Sequence, residues 1–200
     1  MVTRLYSPEM SIDEKDVWKC QAFAAMPPSF LQGVDSTSLE LLGEKVHEAK
    51  KAGLPVGANV MLGAEAKPWV EAAKVAEKAG ADFLELNLSC PRWPLGLHFC
   101  RDESITQDIV ASVRRTTRLP IVAKLHAWLL PNELRSLAMR VVNAGADAIS
   151  TTNIFYGVVG VDVNTGLPWA HDVDDQGTVR GTATAFSGPV TLPVWTASRG

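Results

Sequence analysis

The chain has 200 residues, of which 46% are hydrophobic and 20% are charged, a composition typical of one globular domain. Its formal net charge of −3 provides none of the basic excess that nucleic-acid binding uses. No apolar run reaches the roughly 18 residues that a membrane helix needs, and charged residues interrupt the N-terminus where a signal peptide would be apolar. We therefore expect a cytoplasmic protein whose partners are neither nucleic acid nor membrane.

The three cysteines, Cys20, Cys90 and Cys100, are odd in number and form no C-x-x-C pair. This usage indicates free thiols in a reducing compartment. The four histidines are scattered along the chain, so the sequence predicts no zinc site.

Regular structure is predicted from residue 36 onward. Residues 1–35 show no sustained apolar period, and we expect an irregular segment there, with a short helix near residues 13–25. Helices are predicted to begin at the Thr37-x-x-Glu40 capping box, at Pro68, after Asp102 and at Pro131. Each is followed by a predicted apolar strand, at residues 55–61, 82–88, 120–125 and 147–152.

This alternation of helices and strands predicts an α/β fold with a parallel sheet built from βαβ crossovers. The joins at residues 79–82 and 144–147 both read Ala-Gly-Ala-Asp, an internal repeat that suggests a (β/α)8 TIM barrel. A complete barrel takes about 250 residues and eight strands. We therefore predict that residues 36–200 form an incomplete barrel, with about half to three-quarters present, and no helix after residue 153.

Polar side chains are concentrated where the predicted strands end. In the stretch from Phe83 to Pro91, an apolar strand runs directly into an amide, a hydroxyl and a thiol. Burial of an unpaired polar group costs roughly 1–3 kcal/mol in proteins, so such a strand end predicts a site. Because a barrel carries its chemistry at the carboxyl ends of its strands, the candidates are Asn59, Asn87, Ser89, Cys90, Lys124, His126, Thr151, Thr152 and Asn153.

The run from Ala81 to Pro91, A-D-F-L-E-L-N-L-S-C-P, closely resembles the flavin-dependent dihydropyrimidine dehydrogenases and the related dihydroorotate dehydrogenases. The similarity extends from about residue 29 to residue 193. It includes I-V-A-K-L at 121–125, T-T-N at 151–153 and S-G at 187–188, while G-L-P-W at 166–169 favours the dihydropyrimidine dehydrogenase branch. The resemblance implies a TIM barrel that holds FMN at its carboxyl-terminal mouth.

The resemblance also implies individual roles. Cys90 would act as general acid, giving a proton to C5 of a pyrimidine while reduced flavin gives hydride to C6. A thiol suits this role because its unperturbed pKa is about 8.5, within a few units of neutral pH. Lys124 would face the N1/O2 edge of the flavin, and Gly188 would let the backbone approach the cofactor. The substrate-contacting positions would be Asn87, Leu88, Ser89, Asn153 and Ile154.

Several positions depart from the family pattern. Gln32 and Ile154 stand where the family has asparagine and threonine, and the loop after Cys90 is short. The family's first barrel strand and last two strands, which carry the turns for the FMN phosphate, are expected to be absent. Because these turns are expected to be absent, the sequence leaves open whether the chain still binds flavin.

Each candidate also has a structural interpretation. Cys90 could be a buried thiol, Lys124 a lysine that extends from a strand end to water, and Asn87 and Asn153 residues that satisfy turn backbone. His126 is interpreted as a loop histidine rather than a base.

Three functions remain. The first is an FMN oxidoreductase acting on the C5–C6 bond of a pyrimidine, with electrons from NAD(P)H through a partner subunit or a further domain, since the sequence has neither G-x-G-x-x-G nor an iron–sulfur cysteine set. The second is an enzyme of the same fold that oxidises dihydroorotate, whose carboxylate would need a further cation to bind it. The third is an inactive barrel fragment that acts as an interaction module. Because a partial barrel has open strand edges, we expect a homo-oligomer.

Overall fold

The computed structural model describes residues 2–6, 39–89, 102–126, 129–151, 155–157, 161–167, 172–173, 179–180 and 184–186. These residues fall into two compact units. The larger unit holds the described residues up to residue 151, and the smaller unit holds those from residue 155 onward.

The larger unit is a parallel sheet whose strands alternate with helices. The sheet order is β1-β2-β3-β4-β5, and all four neighbouring pairs are parallel. A doubly wound sheet reverses its strand order at a switch point, whereas this order follows the chain throughout, as in a (β/α) barrel. The predicted α/β barrel-type fold is thus confirmed, with elements β1 Val2–Tyr6, α1 Leu39–Lys50, β2 Gly57–Val60, α2 Ala66–Lys78, β3 Phe83–Asn87, α3 Glu103–Arg114, β4 Ile121–Lys124, α4 Pro131–Asn143 and β5 Ala148–Ser150.

The expectation of an irregular segment over residues 1–35 is wrong at its beginning. Val2–Tyr6 forms β1, in which Val2 lies opposite Gly57 and Tyr6 lies opposite Val60. A five-residue strand is too short to show a period in the sequence, although its valine, threonine and tyrosine favour extended backbone. The sheet therefore has five strands where four were predicted; residues 7–35 and the proposed domain boundary lie outside the described residues.

The predicted helices are confirmed, and those whose predicted starts are described begin within two residues of them. Helix α4 spans Pro131–Asn143 and begins at the predicted residue. Asp102 caps α3, because its carboxylate accepts hydrogen bonds from the backbone N–H groups of Ser104 (2.9 Å) and Ile105 (3.2 Å). The capping box expected at Thr37 lies outside the described residues.

One face of the sheet packs against the helices. Leu84 and Leu86 of β3 point to this face, and Trp69 of α2 covers it while its indole N–H donates to the Gly63 carbonyl at 2.8 Å. Because successive side chains of a strand point to opposite faces, Glu85 and Asn87 point to the other face. The fully buried residues of the helix-side core include Leu42, Val46, Ala58, Trp69, Ala72, Leu84, Leu86, Leu88, Ile109, Val113, Ile121, Ala123, Leu125 and Val141.

The repeated Ala-Gly-Ala-Asp joins fold alike. Gly80 and Gly145 have φ of +91° and +109°, in the left-handed region that favours glycine. Each glycine follows the last residues of a helix, and the aspartate two residues later immediately precedes the next strand. The internal repeat of the sequence is therefore a structural repeat.

Each of these aspartates also ties its strand to the preceding one. Asp82 accepts hydrogen bonds from the Val56 N–H at 2.6 Å and from the Lys50 ammonium at 2.8 Å. These two contacts, the lysine contact first, lower the pKa of Asp82 below its usual value.

The second aspartate repeats this arrangement. Asp147 accepts from the Ile121 N–H at 2.8 Å and from the Arg114 guanidinium at 3.0 Å. Both aspartates thus join the amino end of their own strand to the amino end of its neighbour, and each also holds a cation from the end of a helix. We call this pair the aspartate clamps.

The smaller unit contains short antiparallel strands. β6 Phe155–Gly157 pairs with β9 Thr184–Phe186, and β7 Asp172–Val173 pairs with β8 Val179–Arg180. These pairings were not predicted, because strands of two or three residues leave no readable alternation.

A tight turn precedes β7 in this unit. The Asp162 carboxylate accepts from the N–H groups of Asn164 (2.8 Å) and Thr165 (3.1 Å), which lowers its pKa. Gly166 completes the turn with φ of +70°. Across the described ranges of both units, no helix is long and apolar enough to cross a membrane.

Candidate functional site

Four polar side chains meet on the sheet face opposite the helices, near the carboxyl ends of three adjacent strands. In the strand register, Asn59 of β2 lies opposite Glu85 of β3, and Asn87 of β3 lies opposite Lys124 of β4. Residues opposite each other, or diagonal by two positions, are within side-chain reach on a shared face. The sheet therefore assembles here the strand ends that the sequence singled out.

Glu85 connects two of its neighbours. Its carboxylate accepts a hydrogen bond from the Asn59 side-chain amide, and its Oε1 lies 3.6 Å from the Lys124 ammonium. The side chains of Glu85 and Lys124 are 15% and 24% exposed, so this ion pair is largely shielded from water. We call Asn59, Glu85 and Lys124 the Glu85 cluster.

The side-chain oxygen of Asn59, Oδ1, is buried without a hydrogen-bond partner in the part of the chain that the structure describes. Asn59 is only 6% exposed. A buried acceptor that is left unpaired costs about 1–3 kcal/mol. This oxygen is therefore a candidate acceptor for the donor of a bound ligand.

Asn87 shapes the end of β3. Its side-chain oxygen accepts from the Ser89 N–H at 3.3 Å and from the Ser89 hydroxyl, and both residues are almost fully buried. This is the local turn that the structural interpretation of Asn87 described. The turn ends immediately before Cys90 in the sequence.

Leu88 faces away from the cluster. Its side chain is fully buried in the helix-side core, and its N–H donates to the Lys124 carbonyl at 3.1 Å. A substrate contact at this predicted position would therefore use the main chain. His126, which follows β4, is 1% exposed and so is buried, unlike an ordinary loop histidine.

Thr151, which follows β5, is described and half-buried, whereas the other predicted site residues lie outside the described residues. These are the proposed acid Cys90, the strand-end candidate Thr152, the proposed substrate residues Asn153 and Ile154, and the proposed cofactor residue Gly188. Their roles stay predictions.

The residue that sequence reasoning missed is Glu85. Its signal was a carboxylate in the middle of an apolar strand, two residues before Asn87 and hence on the same face. Glutamate is almost never buried unless it is paired, so the strand pattern already implied a cation or an amide beside it. Lys124 is that cation, which argues against an unpaired lysine extending to water.

Comparison with known proteins identifies the family of the chain. The family model for dihydroorotate dehydrogenase matches residues 32–184. The catalytic subunit of dihydroorotate dehydrogenase B (NAD(+)) from Endomicrobium trichonymphae is 33% identical over 126 residues, which cover 62% of this chain and 40% of that protein.

Two further relatives extend the comparison. The same subunit from Fusobacterium nucleatum subsp. nucleatum is 28% identical over 166 residues, covering 81% of this chain and 48% of that protein. The NAD-dependent dihydropyrimidine dehydrogenase subunit PreA of Escherichia coli K12 is 26% identical over 141 residues, covering 67% of this chain and 32% of that protein.

This chain spans between about a third and a half of the length of these relatives. The family match nevertheless covers well over half of the chain and includes β2 to β5 with the whole Glu85 cluster. The predicted resemblance is confirmed: the chain belongs to the dihydroorotate dehydrogenase family.

Proposed function

We propose that this chain is the catalytic part of an FMN-dependent oxidoreductase that acts on the C5–C6 bond of a pyrimidine. The observation that carries the proposal is the Glu85 cluster, a shielded cation beside a buried acceptor at the carboxyl ends of parallel strands. Barrel enzymes carry their chemistry at this end, and the chain's family is one of pyrimidine oxidoreductases.

The chemistry of the cluster fits FMN. Lys124 would hold the electron-rich N1/O2 edge of the isoalloxazine, where a cation favours the reduced, anionic ring. The Asn59 carbonyl would accept a hydrogen bond from a ring N–H, which would satisfy its buried oxygen. Gly188 would let the backbone approach the cofactor. Bound FMN would supply hydride transfer to or from C6 of the pyrimidine.

Cys90 would hold and move the proton. In the reducing direction its thiol donates the proton from Sγ to C5 while hydride arrives at C6, and the thiolate then recovers a proton from solvent. In the oxidising direction the thiolate removes the C5 proton. The turn built by Asn87 and Ser89 lies at the carboxyl end of β3 and immediately precedes Cys90 in the sequence. This supports the assignment, because barrel enzymes carry their chemistry at that end.

The substrate would lie against the same strand ends. Asn87 and Asn153 carry amides, which combine donors and an acceptor as a pyrimidine edge requires. Ser89, the main chain of Leu88 and Ile154 complete the proposed contacts. The isoleucine in place of threonine makes this edge less polar than the family pattern.

An uncharged pyrimidine such as uracil is favoured over dihydroorotate. A dihydroorotate carboxylate needs a cation of its own, and Lys124 already lies beside Glu85. The four strands β2, β3, β4 and β5 themselves contain no lysine or arginine besides Lys124. Dihydroorotate oxidation is the second candidate, because two of the relatives compared above carry that name.

We further propose that electrons come from NAD(P)H through a partner subunit and that the chain forms homo-oligomers. Support for the partner is that the relatives are named as subunits.

The test is turnover by the purified chain after loading with FMN. Uracil reduction is followed with a reduced viologen as electron donor, and dihydroorotate oxidation with a dye as acceptor. Uracil reduction is expected, and Cys90→Ala is expected to lower it by about 10²–10⁴-fold, the range for general acid catalysis; Cys100→Ala is the matched control. An FMN-loaded chain that turns over neither substrate would sink the proposal. A chain that binds no FMN would favour the interaction module.

A further inference from the structure

Glu85 presents an electrostatic puzzle in the proposed flavin site. Lys124 is assigned there because it is a cation, yet a carboxylate lies 3.6 Å from its ammonium and reduces the local positive charge. A neutral residue at position 85 would leave Lys124 a stronger anion-binding group. The presence of the carboxylate therefore calls for a second function.

We propose that Glu85 is a positioning residue that sets the orientation of the Asn59 amide and holds the Lys124 ammonium in place. An ionised carboxylate only accepts hydrogen bonds. The Asn59 amide must therefore turn its nitrogen toward Glu85, as the structure has it. Its carbonyl oxygen is then fixed on the opposite side, where it is buried and unpartnered in the described part of the chain.

The charge of Glu85 is what makes this orientation unique. A glutamine of the same shape could either accept from the Asn59 nitrogen or donate to its oxygen. Asn59 would then adopt both amide orientations, and only one of them offers an acceptor to a ligand. Glu85 thus converts an ambiguous amide into a fixed acceptor.

Lys124 is held by the same carboxylate in a different way. A lysine side chain has four carbons of flexible stem, and ordering it costs up to about 2 kcal/mol of conformational entropy. The ion pair with Glu85 offsets part of that loss before a ligand arrives. Its 3.6 Å separation is longer than an N–H···O hydrogen bond of about 2.7–3.2 Å. The N–H donors of the Lys124 ammonium are therefore not used by Glu85 and stay available to a ligand.

That FMN is the ligand of the Glu85 cluster rests on the proposed function, but the orientation of the Asn59 amide can be measured without any ligand. The side-chain amide signals of Asn59 are recorded by ¹⁵N NMR and identified by their loss in Asn59→Ala. Exchange of these amide protons with water is compared with that of Asn143, which is exposed. Slow exchange in the native chain, and clear acceleration together with a shifted signal in Glu85→Gln, are expected.

The native chain gives a second ligand-free measurement, which remains valid if Glu85→Gln does not fold. The scalar coupling across the hydrogen bond, between the Asn59 side-chain nitrogen and the Glu85 carboxyl carbon, is recorded in the native chain. A measurable coupling is expected, because the Asn59 amide nitrogen donates to Glu85. Absence of this coupling, or exchange at Asn59 as fast as at Asn143, would overturn the proposal.

The third measurement is FMN affinity, read from quenching of flavin fluorescence. Glu85→Gln is expected to raise the Kd about tenfold, the equivalent of one hydrogen bond of about 1.4 kcal/mol. Glu103→Gln is the matched control, since it breaks a glutamate ion pair with Arg140 between two helices. The Kd of this control should be unchanged.

A triple variant, compared with its double-variant background, tells positioning from direct contact. If Glu85 acts through its neighbours, then adding Glu85→Gln to Lys124→Met and Asn59→Ala should change the Kd by less than about twofold. A full tenfold change in that background would contradict the inference. If the native chain binds no FMN, the proposed function fails, while the NMR comparison still decides the role of Glu85.

Discussion

The two ends of the sheet use the same kinds of side chain for different purposes. At the amino end, the aspartate clamps at Asp82 and Asp147 each pair with a backbone N–H and a cation at 2.6–3.0 Å. At the carboxyl end, Glu85 holds an amide and a more distant cation, and the Asn59 carbonyl stays buried without a partner among the described residues. The satisfied end holds the fold together, and the unsatisfied end is suited to a ligand.

The contrast shows that an acid–base pair alone does not reveal its role. Lys50–Asp82 and Lys124–Glu85 are both lysine–carboxylate pairs. The two pairs differ in the second hydrogen-bond donor to the carboxylate. Asp82 accepts from a backbone N–H at the start of the neighbouring strand, whereas Glu85 accepts from the Asn59 side-chain amide, whose own oxygen points away.

The largest effect is expected at the amino end, from Gly145→Ala. Gly145 has φ of +109°, and an added Cβ would lie 2.5 Å from the Arg114 side chain. Backbone strain of this kind costs about 1–3 kcal/mol, and Arg114 would also have to leave Asp147. We expect the free energy of unfolding in urea to fall by about 2–3 kcal/mol or more.

Gly53→Ala is the control for this variant. Gly53 also has positive φ, +69°, but no atom lies within 4 Å of an added Cβ. The expected loss is about 1 kcal/mol, from strain alone. Equal losses in the two variants would contradict a structural role for the Arg114–Asp147 clamp.

The next effect separates the two lysines. Lys124→Met is expected to raise the Kd for FMN about tenfold, because it removes the cation from the proposed flavin edge. Lys50→Met should lower the Tm and leave the Kd unchanged, because the ion pair of Lys50 in the described part of the chain is with Asp82, at the amino end of the sheet. Calorimetry gives the Tm and flavin fluorescence gives the Kd for FMN, and both are measured for both variants. An effect of Lys50→Met on FMN affinity would break the division between the ends.

The smallest effect concerns acid stability. The Lys50 contact and the Val56 N–H lower the pKa of Asp82 in the folded chain. The stability that Asp82 contributes is therefore present above its unfolded-state pKa, about 3.9, and is lost as the pH falls through the lower folded-state value. Asp82→Asn should lower the Tm at pH 7 and reduce its fall between pH 5 and pH 2. An unchanged acid profile would mean that the clamp stabilises the fold without its charge.

The sequence predicted the helical framework well because the governing interactions are local. Helix α4 and the cap at Asp102 follow from a proline at the first turn, a carboxylate before a helix and a glycine after it. The strand ends were also identified, since polar residues after an apolar run are visible in the sequence itself.

What the sequence missed depends on partners distant along the chain. Strand β1 is recognisable only through its pairing with β2, some fifty residues later. Glu85 was passed over because its meaning comes from Asn59 and Lys124, which lie 26 residues before it and 39 after it in the sequence. Strand register, which periodicity does not specify across a parallel sheet, brings these residues together.

The most direct test of a flavin site at the carboxyl end is the visible absorption spectrum of the chain after incubation with FMN and desalting. We predict retained flavin at close to one FMN per chain, reduced in Lys124→Met and unchanged in Lys50→Met. A native chain that passes the column without flavin, while calorimetry shows it to be folded, would contradict the assignment of the Glu85 cluster to FMN.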